Sequence, residues 1–448
     1  MKTLSCILIA SLKLWSAELA GVSATDLNNQ GSKFFASGDY GEAERYFKEA
    51  LRLENNHSSS DPYTLTKISI NLAASYRAQA RLSEAASLYR NVLTARETLS
   101  GRNDPSLAGA LKGLALISLA QGNLTEAEAL ASRALCILDD SGANWSLERA
   151  GLMNDVANIL FVRGKHQDAD ALLRRASSEL ESSSQQATSV YAETLNILGR
   201  IDQAHSNFLE AEKYYRRSAG IREKINGSQH PFTVGTRNNL AQVLAAQGKW
   251  RDATTLFEDC IAAWEKAYGP QHPDVASGLT NLASIFQTRK QYGKAERLFQ
   301  RALEIDTKTL GAMNPKTATD LNNLGSLAYC RSHLGEAEDL FSRAIEIDRN
   351  VLGPEHPATG STTHNLAMVY CRQKRFALAE PLLKQAAAAR ERAFGPEDAE
   401  LGLILEKYAE ALRMNHNYSE AVKTQDRASG IRVRNMLRSS VLSLAPSE

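Results

Sequence analysis

The sequence predicts an all-α, right-handed superhelical solenoid of about ten helix-turn-helix repeats, and three periodic features support this fold class. An alanine follows each predicted turn and recurs at a constant step of 42 residues along the 448-residue chain. A bulky residue precedes this alanine by three positions in every repeat, and a small residue precedes it by twelve in most. The recurring alanines are Ala43, Ala85, Ala127, Ala169, Ala211, Ala253, Ala295, Ala337, Ala379 and Ala421.

Residues 269–311 show the elements of one repeat. Apolar residues recur at intervals of three and four in both halves of this stretch, which predicts two amphipathic helices. Pro270 and Pro273 precede the first helix, where a missing N–H costs little, and Gly311 follows the second, where glycine easily adopts a left-handed cap. The unit is therefore predicted to be a helical hairpin whose helices pack closely through the small positions.

The ten predicted hairpins fall into two sets with different connections. Residues 25–180 hold repeats 1–4, whose connecting segments are degenerate, and residues 181–429 hold repeats 5–10. Residues 430–448 are predicted to form a capping helix and tail over the exposed end of the solenoid. A hinge, if the solenoid has one, is expected near 181–206, where the connection lacks both proline and glycine.

The first 24 residues are predicted to be a secretory signal peptide. Lys2 precedes an apolar run, and Val22-Ser23-Ala24 resembles a cleavage site. This predicts an exported, periplasmic or secreted protein. Lys13 and Glu18 interrupt the apolar run, so the alternative is a helix of a cytoplasmic protein.

Composition and motifs exclude several classes of function. The formal net charge of +1 gives no electrostatic footprint for nucleic acid, and no 18-residue apolar span predicts a membrane helix after signal removal. Phosphate loops, dinucleotide fingerprints and hydrolase motifs are missing, so we expect no enzyme activity and no cofactor.

His230, His272 and His356 each precede a proline and are expected to be turn or capping residues, not metal ligands. Cys330 and Cys371 are expected to be free thiols, although adjacent repeats could bring them together.

A polar, almost uncharged strip is predicted along four successive first helices. Its asparagines carry both donors and an acceptor, so they could bind the backbone of an extended peptide. Alternatively, each asparagine bonds to the neighbouring helix and holds the repeats in register. The candidate residues are Asn238, Asn239, Gln242, Asn281, Ser284, Asn322, Asn323, Ser326 and Asn365.

The order of small, large and aromatic positions resembles tetratricopeptide repeats, with a period longer than the usual value of about 34 residues. The 42-residue version is similar to the repeats of kinesin light chains. The residues that carry this resemblance are Gly269-Pro270, His272-Pro273, Asn281-Leu282-Ala283, Gly353-Pro354, His356-Pro357, Asn365-Leu366-Ala367, His230-Pro231 and Asn239-Leu240-Ala241. The resemblance implies that the first helices line a concave groove and that Asn239, Asn281, Asn323 and Asn365 contact a bound peptide there.

We therefore expect a non-enzymatic scaffold that binds an extended segment of a partner protein in this groove. A carboxylate clamp is not expected, because residues 235–368 lack a matching pair of cations on the strip. A motor subunit is not expected either, since the repeats are not preceded by a long heptad segment. The alternatives are a structural protein that self-associates or stacks through its helix faces, and a cytosolic kinesin-light-chain-like adaptor. A homo-oligomer is compatible with either.

Overall fold

The structure, a computed structural model, describes residues 22–57, 60–79, 81–121, 123–141 and 146–444, and describes side chains as far as residue 437. Throughout these residues the chain is helical and contains no strand, which confirms the predicted all-α solenoid. The chain consists of two compact units, unit 1 (residues 1–186) and unit 2 (residues 187–448). The boundary lies within the segment in which a hinge was expected.

The described helices form ten hairpins, in which odd-numbered helices are the first helices and even-numbered helices the second. Unit 1 contains α1 (Ala24–Ala36), α2 (Tyr40–Asn56), α3 (Pro62–Ala78), α4 (Leu82–Ser100), α5 (Ala108–Ala120), α6 (Leu124–Asp140), α7 (Ser146–Val162) and α8 (His166–Ser182). Unit 2 contains α9 (Ser189–Ala204), α10 (Phe208–Asn226), α11 (Pro231–Ala246), α12 (Trp250–Tyr268), α13 (Pro273–Thr288), α14 (Tyr292–Leu310), α15 (Pro315–Cys330), α16 (Leu334–Val351), α17 (Pro357–Arg372), α18 (Phe376–Phe394), α19 (Ala399–Met414) and α20 (Tyr418–Leu444).

Several first helices begin at a proline preceded by a histidine cap. The Nδ1 atom of His230 accepts a hydrogen bond from the backbone N–H of Phe232 at 3.3 Å, and His272 and His356 make the same contact at 3.2 Å. Each ring thus satisfies an orphan donor of the first helical turn, a contact worth about 1 kcal/mol. The predicted capping role of these histidines is confirmed.

The turns inside the hairpins place one residue in the left-handed region. Gly248 has φ 76°, and the equivalent residues of later hairpins, among them Lys290 and Ser332, have φ 58° and 66°. At Lys290 the turn is closed by two backbone hydrogen bonds, from Lys290 N–H to the carbonyl of Gln287 and from Gln291 N–H to that of Phe286. The described turns therefore share one backbone conformation.

The recurring alanines lie at the closest approach of the two helices of each hairpin. All ten are between 0 and 1% exposed. Beside them, an aromatic ring of the second helix often fills the space over a small residue of the first. A Cβ atom at Gly325 would lie only 2.8 Å from the ring of Phe341, so this pair has no room for a larger residue. Close packing of this kind repeats along each unit and replaces a single central core.

Most of the predicted signal peptide lies outside the described residues, which begin at residue 22. In the part that is described, the Ser23 hydroxyl accepts a hydrogen bond from the Asp26 N–H at 3.1 Å and caps α1. Ala24 is buried against a cluster that includes Leu27 and Phe47. Cleavage after Ala24 would remove this cap, and export of the protein stays a prediction.

At the other end, the second helix of hairpin 10 continues without a break as far as Leu444. The segment predicted to form a cap is therefore an extension of α20. Val433, Met436 and Leu437 on this extension are each more than half exposed. No described helix is both long enough and apolar enough to cross a membrane.

Candidate functional site

Asparagine side chains join the first helices of neighbouring hairpins in unit 2. In each of these contacts, which we call rungs, an asparagine Nδ2 donates to the Oδ1 of the asparagine 43 positions earlier. The rungs are Asn239 to Asn196 at 3.2 Å, Asn281 to Asn238 at 3.2 Å, and Asn365 to Asn322 at 2.8 Å. We call the residues Asn196, Asn238, Asn239, Asn281, Asn322, Asn323 and Asn365 the asparagine rail.

The residues of the rungs are buried or half-buried. The acceptors Asn196 and Asn238 are both 8% exposed, and the acceptor Asn322 and the donors Asn239, Asn281 and Asn365 are half-buried. A neutral amide pair suits this position, because it satisfies polar groups between helices without burying a charge. The contacts required for the register role are therefore present. Peptide binding by the same residues stays a prediction.

Asn323 departs from this pattern. The residue 43 positions before it is Thr280, and no rung joins these two residues in the described structure. Instead, the Thr280 hydroxyl donates to Oδ1 of Asp320 at 3.3 Å. The sequence placed Asn323 in the same strip as its neighbours, and the structure places it there too, but without their hydrogen bond.

Unit 1 has contacts between residues at the same positions, with more varied chemistry. Asn71 donates to Asn28 at 2.8 Å, as in unit 2. In the junction between hairpins 3 and 4, Lys112 and Asp155 form an ion pair at 2.6 Å. The geometry of the solenoid thus creates the contact, and the local sequence decides whether it is neutral or ionic.

A pocket of about 280 Å³ opens beside the rail between hairpins 6 and 7. Three of the candidate residues, Gln242, Asn281 and Ser284, line it, together with apolar groups. Ser284 is exposed at its rim, while Phe257 is 1% exposed at its floor. The other lining residues are Ala245, Ala246, Trp250, Ile285 and Thr288. The lining carries no charge, so the pocket fits an apolar side chain better than a charged one.

Two of the remaining polar candidates have side-chain hydrogen bonds within unit 2. Gln242 accepts a hydrogen bond from Gln203 at 3.3 Å, and the Ser284 hydroxyl donates to the Thr280 carbonyl at 2.9 Å. Ser326 is half-buried one turn beyond Asn322. The nine candidates lie on α11, α13, α15 and α17. The aromatic residues of the pocket come from α12, and the sequence strip did not include them.

A second set of junction contacts, also absent from the sequence predictions, lies at the hairpin turns. The residue directly after the packing alanine is a glutamate in many repeats, and it binds basic or amide side chains in the turn of the next hairpin. We call this contact the turn latch. Its pairs include Glu44 with Arg81 at 2.8 Å, Glu128 with Lys165 at 2.8 Å, Glu212 with Lys249 at 2.9 Å, Glu296 with Arg331 at 2.8 Å, Glu338 with Arg375 at 2.9 Å, and Glu380 with Asn415 at 2.6 Å.

The turn latch favours ionised carboxylates. Hydrogen bonding to Lys165 outweighs burial at Glu128 and lowers the pKa of that carboxyl. The glutamates directly before the alanine, such as Glu42 and Glu210, instead pair with basic residues of their own helix. Glu210 is exposed and Glu42 is half-buried. The acidic residue directly after the packing alanine also recurs at a period of 42 residues, and this recurrence is the sequence pattern that could have predicted the turn latch.

The cysteines behave as predicted. Cys330 and Cys371 are free thiols, and Cys330 accepts a hydrogen bond from Gln287 at 3.6 Å. Cys260 is 2% exposed in place of a packing alanine, and burial raises the pKa of its thiol to about 12. Among the described residues, no group of three or more histidine, cysteine or acidic side chains could hold a metal ion.

Two family models match the chain. A model described as a MalT-like TPR region matches residues 10–259. A tetratricopeptide repeat model matches four overlapping segments, residues 232–308, 274–350, 316–390 and 359–432. No curated protein matches the chain.

Solved structures include similar helical repeats. A Rap protein complexed with competence and sporulation factor has 13% identity and a TM-score of 0.53, over 90% of this chain and 99% of that one. BtubC (BKLC) from P. vanneervenii has 20% identity and a TM-score of 0.45, over 54% of this chain and 94% of that one. A protein from Podosopora anserina that is described as a kinesin light chain with nearly identical TPR-like repeats has 24% identity and a TM-score of 0.38, over 46% of this chain and 97% of that one. The first of these shares the overall fold with this chain.

Proposed function

We propose that this chain, which belongs to the tetratricopeptide-repeat proteins, binds an extended peptide segment of a partner protein along the asparagine rail. Tetratricopeptide-repeat proteins are protein-interaction scaffolds. The observation that carries this proposal is the pocket between hairpins 6 and 7. It adjoins the half-buried amide of Asn281 and offers an uncharged, mostly apolar lining for one side chain.

The rail can serve both structure and binding, since a side-chain amide has more than one hydrogen-bonding group. The rung from Asn281 uses a donor on its Nδ2, and an amide also offers a second N–H and a carbonyl oxygen. A peptide backbone has the complementary groups at every residue. The amides would therefore hold the backbone, and the pocket would select one apolar side chain.

Affinity selection with random 12-residue peptides displayed on phage would test this proposal, using the immobilised full chain. Selected peptides are then synthesised, and their dissociation constants are measured by fluorescence anisotropy. Ser284→Trp is the decisive variant, because a large ring at the exposed rim would fill the pocket and leave the rungs intact. We expect it to weaken binding at least tenfold. Asn281→Ala should also weaken binding, by a factor of about five to ten, the effect of losing one hydrogen bond of about 1 kcal/mol.

Matched controls are available on the second helices. Gln300 and Asn350 are exposed amides of α14 and α16, away from the rail. Alanine at either position should leave the affinity unchanged. Thermal unfolding of every variant separates loss of binding from loss of fold. Selected peptides that bind Ser284→Trp and Asn281→Ala as tightly as the parent chain would contradict the proposal.

A further inference from the structure

In the four junctions between hairpins 5 and 9, a residue near the end of one second helix contacts the residue fourteen positions later. In three of these junctions the two side chains are complementary. Arg222 donates to the Thr236 hydroxyl at 2.6 Å, and Thr362 donates to Asp348 at 3.3 Å. Trp264 fills the space over Gly278, where a Cβ atom would lie 3.1 Å from the ring. Between hairpins 7 and 8, the same two positions are occupied by Asp306 and Asp320.

These two carboxyl groups are buried together. Asp306 is 3% exposed and Asp320 is 4% exposed. Thr280 supplies one hydrogen bond to Oδ1 of Asp320. Oδ1 of Asp306 and Oδ2 of Asp320 are buried and find no other donor among the described residues. Two carboxylates cannot satisfy one another, because each is only an acceptor, but one proton between them makes one of the groups a donor.

Little charge surrounds the pair. Thr280 faces Asp320 from α13, and Asp306 faces it from α14. Lys316, which is exposed at the start of α15, is the cation that acts on both carboxyls. The neighbouring helix α16 packs against α15 through the apolar residues Ala344 and Ile347. Burial, and after it the negative charge of Asp306, raises the pKa of Asp320 to about 7.

The pair is also connected to the asparagine rail. Thr280 is the residue that stands where the other rungs have an asparagine acceptor, and its hydroxyl is directed to Asp320. Asn323 therefore lacks the rung of its neighbours at the junction that holds the acid pair. A change at Asp320 acts directly on Thr280, one contact away from the rail.

We propose that Asp306 and Asp320 form a proton-dependent latch between hairpins 7 and 8, closed while they share one proton and loosened when that proton is lost. Because the folded state raises the proton affinity of a carboxyl group above its unfolded value, the stabilisation is complete at acidic pH. It is lost as the pH rises through the folded pKa near 7. Loosening separates α14 from α15 and frees the Thr280 hydroxyl beside the rail.

Hydrogen–deuterium exchange of the full chain at pH 6 and pH 8 would test this proposal. Exchange times are corrected for the pH dependence of the intrinsic amide rate. Peptides covering residues 303–327 should lose about tenfold more protection between pH 6 and pH 8 than peptides covering residues 261–285, because a group of pKa near 7 changes the opening constant by that factor. The second set spans the junction of Trp264 and Gly278, which has no acid pair.

Asp320→Thr is the matched variant, since it recreates the arrangement of Asp348 and Thr362 in the next junction. It should remove the extra pH dependence, and Asp306→Asn should do the same with little change of shape. Circular dichroism checks that both variants fold. A parent chain with no extra loss of protection at pH 8 would overturn the proposal, and so would an equal loss in a folded variant. No peptide ligand is needed, so this test is independent of the proposed binding function.

Discussion

Carboxyl groups in two regions of the hairpin junctions have pKa values that are shifted in opposite directions, although burial acts to raise both. At the turn latch, burial works to raise the pKa of Glu338, but hydrogen bonds from Gln373, Tyr370 and Arg375 outweigh it and lower that pKa. In the interior of the junction between hairpins 7 and 8, Asp320 receives one hydroxyl and faces a second acid, and its pKa is raised. The difference shows that the donors of the next hairpin, and not burial alone, decide whether a junction carboxyl is charged.

The sharpest way to break this comparison is to create a second acid pair. Thr362→Asp places a carboxyl opposite the buried Asp348, in a junction that now has a hydroxyl donor. We expect the free energy of unfolding to fall by roughly 3 kcal/mol at pH 8, because the buried Asp348 carboxylate loses the hydroxyl donor of Thr362 and faces a second carboxylate. The loss should be smaller at pH 5, where the pair can share a proton. Urea denaturation at both pH values measures the effect.

Thr362→Asn is the control for that experiment. It is similar in size and neutral, so its effect on stability should be the same at both pH values. If Thr362→Asp also destabilises the protein equally at pH 5 and pH 8, two buried acids do not share a proton in this position.

A smaller effect is expected when a turn latch is neutralised. Glu338→Gln keeps the shape of the side chain but removes its charge, and should cost about 0.5–1 kcal/mol at pH 7, as expected of a partly exposed ion pair. The folded pKa of Glu338 is lowered, so its stabilisation is present above the usual value and is lost as the pH falls through the folded pKa. Acid denaturation followed by circular dichroism should therefore begin at a lower pH for the parent chain than for Glu338→Gln. The difference in stability between the two proteins should become smaller as the pH falls.

Glu346→Gln serves as its control, because Glu346 is exposed on the same helix, α16. That substitution should leave the acid transition unchanged. Identical acid transitions for Glu338→Gln and the parent chain would show that the turn latch at Glu338 does not contribute to stability in acid.

The smallest expected effect is an increase in stability. Hairpin 6 has Thr254 at the latch position, and the residue equivalent to Arg331 in the next hairpin is Arg289. Thr254→Glu should recreate the pair of Glu296 and Arg331 and raise stability by about 0.5 kcal/mol. Thermal unfolding at low salt measures this gain, which 1 M salt should abolish by screening. Thr254→Gln controls for side-chain length, and an equal gain from glutamine would rule out an ionic latch.

The sequence predicted the asparagine rail more completely than it predicted the turn latch. Four asparagines at one period of 42 residues are conspicuous because a helix interior disfavours asparagine. Their positions on the first helices were correct, and so were the capping histidines. The latch glutamates were missed because a charged residue beside a packing position is the normal composition of a solvated helix face. Nothing in the local sequence of Glu212 indicates that Lys249, on another hairpin, lies 2.9 Å away.

Periodicity alone determined the fold class, the number of hairpins and the helix packing positions, because a constant step of 42 residues forces equivalent residues into equivalent surroundings. Which side chains of neighbouring hairpins meet was decided only by the tertiary structure. The rungs of the rail join residues 43 apart, and the acid pair joins residues 14 apart. Such offsets depend on how one hairpin is rotated against the next, and local helix propensity does not carry that information. The charge state of Asp320 follows from the same stacking, since burial and a facing acid exist only after the hairpins have packed.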